Sequence, residues 1–514
     1  MRRQDIQLRV LARNGNVDAR LEVGRRYLLG TDGFPKHLQT GIDYLTHPSV
    51  RGLVGAQILI AECLSLEELL RCDQQAFLRK AAHAGSASAQ LKFGTYLLTY
   101  PGKVAKAVTY FARSATSVPC AADALAICRS VDESNCLPSV LQLLMDSKTE
   151  DGCAIAEITA REAHVAGDLP RLRRCVHAAT VLMTKPTTAI AELVVALVQM
   201  AEDASDSLIG PSTEFIQRCL ELQSQIGHLH ATYTLGRALA GIHCGTLHPS
   251  RLIGSSNLRK GTALLLRAAD SGQDEAWLHL YKLNSDHRRS VANPQMGRFF
   301  LEKASERGQA EAQRLLGTLI LSESSSIRES ETAIDLLYRS AQQGDTYAKQ
   351  LLNSLVLPVS GCAAEASVAI EELDRSDPWL AARLRLARHF GLTKLEALSV
   401  DPPEAKRPWG LVVGRNPFIR QIRLAAPRAI PALTQEALGD LEHAVTLFRR
   451  PRQSEDDSEG NLRRRSDNLQ RAFELHNLRE AMFFATANST VLDTLRVGPK
   501  WAFRVKRTLQ CEFA

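Results

Sequence analysis

The chain has 514 residues, too many for one ordinary hydrophobic core, so it holds either several domains or a repeat array. Apolar residues make up 45% but aromatics only 5%, a balance that suits close-packed Ala- and Leu-rich helices. Its 63 basic and 56 acidic residues leave a charge of +7, too little by itself to imply a polyanionic partner.

The N-terminal stretch M-R-R-Q-D-I-Q-L-R-V-L-A-R-N-G lacks the apolar run of a signal peptide. The longest apolar run, Leu193 to Val198, is far short of a membrane span. Eleven cysteines, an odd number with no C-x-x-C pair, fit a reduced thiol set better than a disulfide framework. These features predict a soluble, cytoplasmic protein without membrane insertion.

A Gly, an Ala four residues on and an apolar residue four beyond that recur along the chain. The pattern stands at Gly15, Ala19, Val23; at Gly52, Ala56, Ile60; and at Gly85, Ala89, Phe93. Weaker copies follow at Cys120, Ala124, Cys128; at Gly152, Ala156, Ala160; and at Thr187, Ala191, Val195. The pattern returns at Gly227, Ala231, Leu235 and becomes regular from Gly261 to Leu352. There a step of 36 links Leu265, Leu301 and Leu337; Gly272, Gly308 and Gly344; and Ala276, Ala312 and Ala348. Residues four apart share a helical face, and Gly ends a helix in the left-handed conformation at little cost. Each unit therefore reads as a helix, a turn and a second helix, burying its apolar face only by stacking on neighbours.

The string A-A-x-x-G-x-x-x-A followed by apolar-Gly resembles the Sel1-like repeat, a tetratricopeptide-like family. The apolar-Gly pair occurs at Val23-Gly24, Phe93-Gly94, Leu235-Gly236 and Leu316-Gly317. The small pair before the first Gly occurs at Ala81-Ala82, Ala268-Ala269 and Ala304-Ser305. The resemblance covers residues 10 to 356 and is degenerate from about 116 to 222. It implies an all-α fold, a right-handed α-solenoid of about ten helix-turn-helix repeats over residues 1 to 357. It also implies a noncatalytic scaffold or adaptor that binds proteins on its concave face, in bacterial signalling, regulation or assembly.

First-helix residues line the concave face of such arrays, so Trp277, Tyr281 and Arg314 are the candidate partner anchors. An insertion after Gly227 gathers His228, His230, His243, Cys244 and His248. Their spacing fits no standard zinc motif, so no metal ligand or cofactor is assigned. No phosphate loop, H-E-x-x-H or G-x-S-x-G motif occurs, and the chain reads as no enzyme.

After Leu357-Pro358 the period stops, and residues 358 to 514 read as a smaller α+β or mixed module. Helices are expected from Ala363 to Ser399, Thr434 to Arg449 and Arg463 to Ala487. Strands are expected at Gly410 to Gly414, Ile419 to Leu424, Trp501 to Val505 and Leu509 to Phe513. From Asp401 onward 19 basic residues face 14 acidic ones, so this region carries +5 of the surplus. Two alternatives attach to it. Ala387 and Gly391, amid Leu386, Phe390, Leu392 and Leu395, form a helix-turn-helix-like string at 380 to 400. A DNA-linked regulator would then use Lys394 with Arg463, Arg464 and Arg465 for nucleic-acid contact. His476 and Arg479 in H-N-L-R, with Trp501, also resemble tyrosine recombinases. There Thr393 replaces the expected arginine, and Gln510 and Cys511 the tyrosine, so the resemblance implies an inactive relative.

Overall fold

The computed structural model describes residues 3–204, 208, 210–416, 419–420, 425–449, 459–487, 491–492 and 495. Among them are 27 α-helices and one three-stranded sheet. The expected all-α solenoid with a small mixed module is what the chain builds. No described helix is long and apolar enough to cross a membrane. The chain divides into two compact units, Met1–His279 with Arg289–Val291, and Leu280–Arg288 with Ala292–Ala514.

In the first unit helices pack as consecutive hairpins, such as Ala87–Leu98 with Val104–Ser114 and Leu229–Leu239 with Leu258–Asp270. Three of the turns between helices follow from two adjacent residues. Gly15, Gly85 and Gly227 take φ of +94°, +97° and +98°, where a Cβ would be strained. The next residue then caps the new helix: Asn16, Ser86 and His228 accept the amides of Ala19, Ala89 and Ala231. The backbone amide of Ser86 also reaches back to the Ala81 carbonyl, a six-residue closure of the preceding helix. The recurring Ala is thus the third residue of its helix, and Ala19, Ala56, Ala89 and Ala231 are all buried.

The second Gly of the apolar-Gly pair sets how closely the hairpin closes. A Cβ on Gly24 would stand 2.6 Å from Leu45, one on Gly94 2.5 Å from Phe111, and one on Gly317 2.9 Å from the Ala333 carbonyl. Close crossings therefore fall at these glycines, and from the partner helix at Gly41 and Gly261, where a Cβ would stand 2.5 Å from Leu28 and 2.7 Å from the Ala240 nitrogen.

The degenerate stretch is not a break. Helices Pro119–Ser130, Glu133–Asp146, Gly152–Val165, Leu169–Leu182, Thr188–Asp203 and Thr213–Ile226 continue the array. Their apolar faces join one core that runs from Leu28 to Ile253. The three weaker copies are out of register with the strong ones. Cys120 and Gly152 lie inside the first turn of their helices and Thr187 is a helix cap, so none occupies the turn. The positive-φ turn positions among the described residues are instead Lys148, Gly167 and Gly210. One of these helices, Glu133–Asp146, carries Pro138 inside it.

In the second unit, the regular repeats run into the segment after Leu357 through the sheet. β1 (Lys406–Arg407), β2 (Gly410–Val413) and β3 (Arg428–Pro431) are antiparallel in that order. Side chains alternate between its faces. Trp409, Val412 and Ala429 pack on Ala333, Leu337 and Leu352 of the last repeats. Leu411, Val413 and Ile430 pack on the C-terminal helices instead.

The helix expected from Ala363 to Ser399 is broken into Ala363–Ser376, Pro378–His389 and Lys394–Ser399. Pro378 has no amide to continue the first helix, and Asp377 caps the second by accepting the Leu380 amide. The helix from Arg463 ends at Leu475, where Asn477 takes φ of +53°. The expected strand Gly410 to Gly414 is β2, and β3 was not foreseen. Of the other expected strands, 421 to 424, 501 to 505 and 509 to 513 lie outside the described residues.

Candidate functional site

Two hollows of the first unit adjoin one another. One, of about 740 Å³, lies between helices Gln75–His83 and Ala87–Leu98 and is lined by Phe93, Tyr96, Tyr100, Arg79 and Lys103. The other, of about 710 Å³, lies along Gly152–Val165 and is lined by Ile158, Val165, Arg161 and Arg71. They share Leu70 and Glu162, and together form one groove across several helices.

A fixed polar network floors it. The Arg171 guanidinium lies 4.0 Å from the Tyr100 ring centre and 5.5 Å from that of Tyr96. It donates to Glu162 at 2.7 Å, while Gln75 donates to the other Glu162 oxygen at 2.9 Å. The Tyr96 and Tyr100 hydroxyls lie 3.0 Å apart. Burial works against the Arg171 charge, but the bond to Glu162 together with the neighbouring Tyr96, Tyr100 and Cys175 outweighs it and holds its pKa above the usual value. Burial, helped by the bond to Tyr100, raises the Tyr96 pKa, so the phenol stays a neutral donor.

The floor is thus ordered before any ligand arrives, and its aromatic rings are rigid contact area. Arg79 and Lys103 stand at the rim without an ion-pair partner among the described residues. Val165, 83% exposed, adds an apolar edge. Nothing in this arrangement is a nucleophile paired with a base.

The residues expected as partner anchors are placed differently. Trp277 and Tyr281 share the helix Glu275–Ser285. Trp277 is only 7% exposed, a packing residue rather than an open anchor, and Tyr281 is half-buried. Arg314 is held by Asp345 at 2.9 Å and lies 5.4 Å from the Tyr347 ring centre.

The histidine-rich insertion does not converge on an ion. His228 and His248 cap helices, the rings of His243 and His248 meet edge to face, and burial pushes the Cys244 thiol up to about 12.

The helix-turn-helix reading fails on burial. Glu396, Ala397, Leu398 and Ser399 of its reading helix are buried, and the helix is six residues long. Lys394 is tied to Glu480 at 2.5 Å, leaving only Leu395 fully open. Arg463 and Arg464 are exposed, but Arg465 donates to the Leu398 carbonyl at 2.9 Å. Arg464 and Arg465 line a polar cleft of about 190 Å³ with Trp379, Arg383 and Glu459. Of the recombinase-like residues, His476 faces Glu372 at 3.9 Å and Arg479 is exposed, while Trp501, Gln510 and Cys511 lie outside the described residues.

Its structural neighbours are Sel1-repeat proteins. One is a protective antigen of uropathogenic Escherichia coli displaying an SLR fold, 18% identical, with 68% of this chain and 74% of that one covered at a TM-score of 0.29. Another is a Sel1 repeat protein from Oxalobacter formigenes, 16% identical, covering 68% of this chain and 89% of that one at a TM-score of 0.26. No protein-family model matches the chain, and no curated protein matches it.

Proposed function

We propose that the protein is a noncatalytic scaffold whose working surface is the groove between helices Gln75–His83, Ala87–Leu98 and Gly152–Val165. The observation that carries this reading is the ordered Tyr96–Tyr100–Arg171–Glu162 floor beneath two adjoining hollows. A groove of that length accepts a segment of protein chain, with Tyr and Arg supplying contact area at low entropic cost. Trp277, Tyr281 and Arg314 take no part in it.

Bacterial signalling, regulation or assembly, and a cytoplasmic location, belong to the same proposal. Photo-crosslinking residues placed at Arg79 or Lys103, with exposed Ile226 as control, test it in the expressing cell. Discrete protein adducts from the two groove positions and none from Ile226 are expected. Equal labelling at all three, or none, removes the groove from the reading; fractionating the cell places the adduct.

A further inference from the structure

Among the described residues, one group of His, Cys and acidic side chains brings its donor atoms together. His389, Glu436 and Asp440 each offer an atom within 4.8 Å of the other two. His389 ends the helix Pro378–His389, and Glu436 and Asp440 stand four apart on the packed helix Gln435–Arg449. That spacing puts both carboxylates on one helical face.

Both helices are firmly seated, so the donors are held on rigid elements. Ala387 and Phe390 flank His389 in the core, and Arg388 beside it is fixed to the carbonyls of Met482 and Gly361. Ala437 and Leu441, the neighbours of the carboxylates, are buried as well.

The His389 Nε2 lies 2.9 Å from an Asp440 oxygen, a contact that satisfies two of the three donors. The Glu436 carboxylate converges on them yet makes no hydrogen bond or ion pair among the described residues. His389 and Asp440 keep 25% and 27% of their side-chain surface and Glu436 is exposed, so an ion has an entry path and room for water. Two carboxylates and a neutral imidazole match the charge of a divalent cation. A mixed nitrogen and oxygen set of three protein ligands with an open position suits zinc and its first-row neighbours rather than calcium.

We propose that His389 Nε2 with one oxygen each of Glu436 and Asp440 binds a divalent transition-metal ion, zinc by its donor chemistry, stapling the two helices together. Because the ligands come from separate helices, the ion ties the second unit's core from outside, and binding stabilises the folded form.

The test uses the full-length chain, stripped with a chelator and titrated with Co²⁺ as a spectroscopic stand-in and Zn²⁺ by calorimetry. One equivalent is expected to bind with visible d–d absorption and without a thiolate charge-transfer band, which separates this site from the cysteines. His389→Ala and Glu436→Gln should each weaken binding by at least about tenfold, while His243→Ala leaves it unchanged. Glu436 is exposed, so its variant keeps its fold and remains informative if His389→Ala is unstable. Lack of stoichiometric uptake overturns the proposal, as does uptake that carries a thiolate band or survives both ligand variants.

Discussion

Arg428 and Glu396 form a two-pronged ion pair in which the two side chains keep 1% and 2% of their surface. Arg428 donates to both Glu396 oxygens and also reaches the carbonyls of Leu355 and Gly391. Glu396 in turn caps its own helix by accepting the Thr393 amide. One pair thereby fastens the end of the repeats, the Gly391 turn and β3.

Removing one partner strands the other charge in the core. Glu396→Gln and Arg428→Met should each destabilise the second unit by about 3–5 kcal/mol. The joint replacement Glu396→Leu with Arg428→Met should cost less than the sum of the two. Hydrogen exchange of the strand amides over 406 to 431 reads this without requiring two-state unfolding of the whole chain.

Two glycine-to-alanine changes should move stability in opposite directions. At Gly94 the added methyl meets the buried Phe111 ring, and a loss of about 1–3 kcal/mol is expected. Gly439, exposed within a helix, meets nothing within 4 Å, so alanine should stabilise that helix by about 0.5–1 kcal/mol. Denaturant melts of the two variants against the parent decide both.

Trp277→Ala should act as a core truncation, costing about 3–5 kcal/mol, because the ring is buried. A fall in partner capture by this variant would track its unfolding. Capture measured at a temperature where the variant is still folded should equal that of the parent.

Glu150 gives the fold a pH dependence. Burial pushes its carboxyl up to about 7, against the pull of Lys92 and of the Leu66 amide that it accepts at 2.8 Å. The unfolded chain releases this proton near 4.5. Between those values the unfolded state binds fewer protons, so this residue's contribution to stability falls as pH rises from about 4.5 to 7. Glu150→Gln keeps the acceptor for Leu66 and removes the titration. Melting temperature against pH should therefore slope less downward in the variant over that window.

The repeat was legible because its positions recur locally. Gly272, Gly308 and Gly344 take the left-handed turns that their spacing requires, and Ala276, Ala312 and Ala348 are all buried. After Gly15, Gly85, Gly227 and Gly344 the next residue, Asn16, Ser86, His228 or Asp345, caps the new helix, so its polarity is a second sequence signal of the turn. The middle repeats were obscured by register, not by loss of helix: their turns fall at residues such as Lys148 and Gly167, out of step with the weak copies, while the shared core continues. The groove was illegible for another reason. Tyr96 meets Glu162 across 66 residues and Arg171 meets Thr99 across 72, and no periodicity brings such partners together. His389 and Asp440, joined across two helices, were hidden in the same way.

The sheet Lys406–Pro431 bears on how such an array can change with time. Trp409, Val412 and Ala429 occupy the apolar face of the final hairpin, the face on which one more hairpin would stack. Duplication of a repeat at that end would have to unseat three strands and the helices behind them. Growth or loss of whole units is therefore confined to positions upstream, and the terminus of the array is a fixed point around which its length can vary.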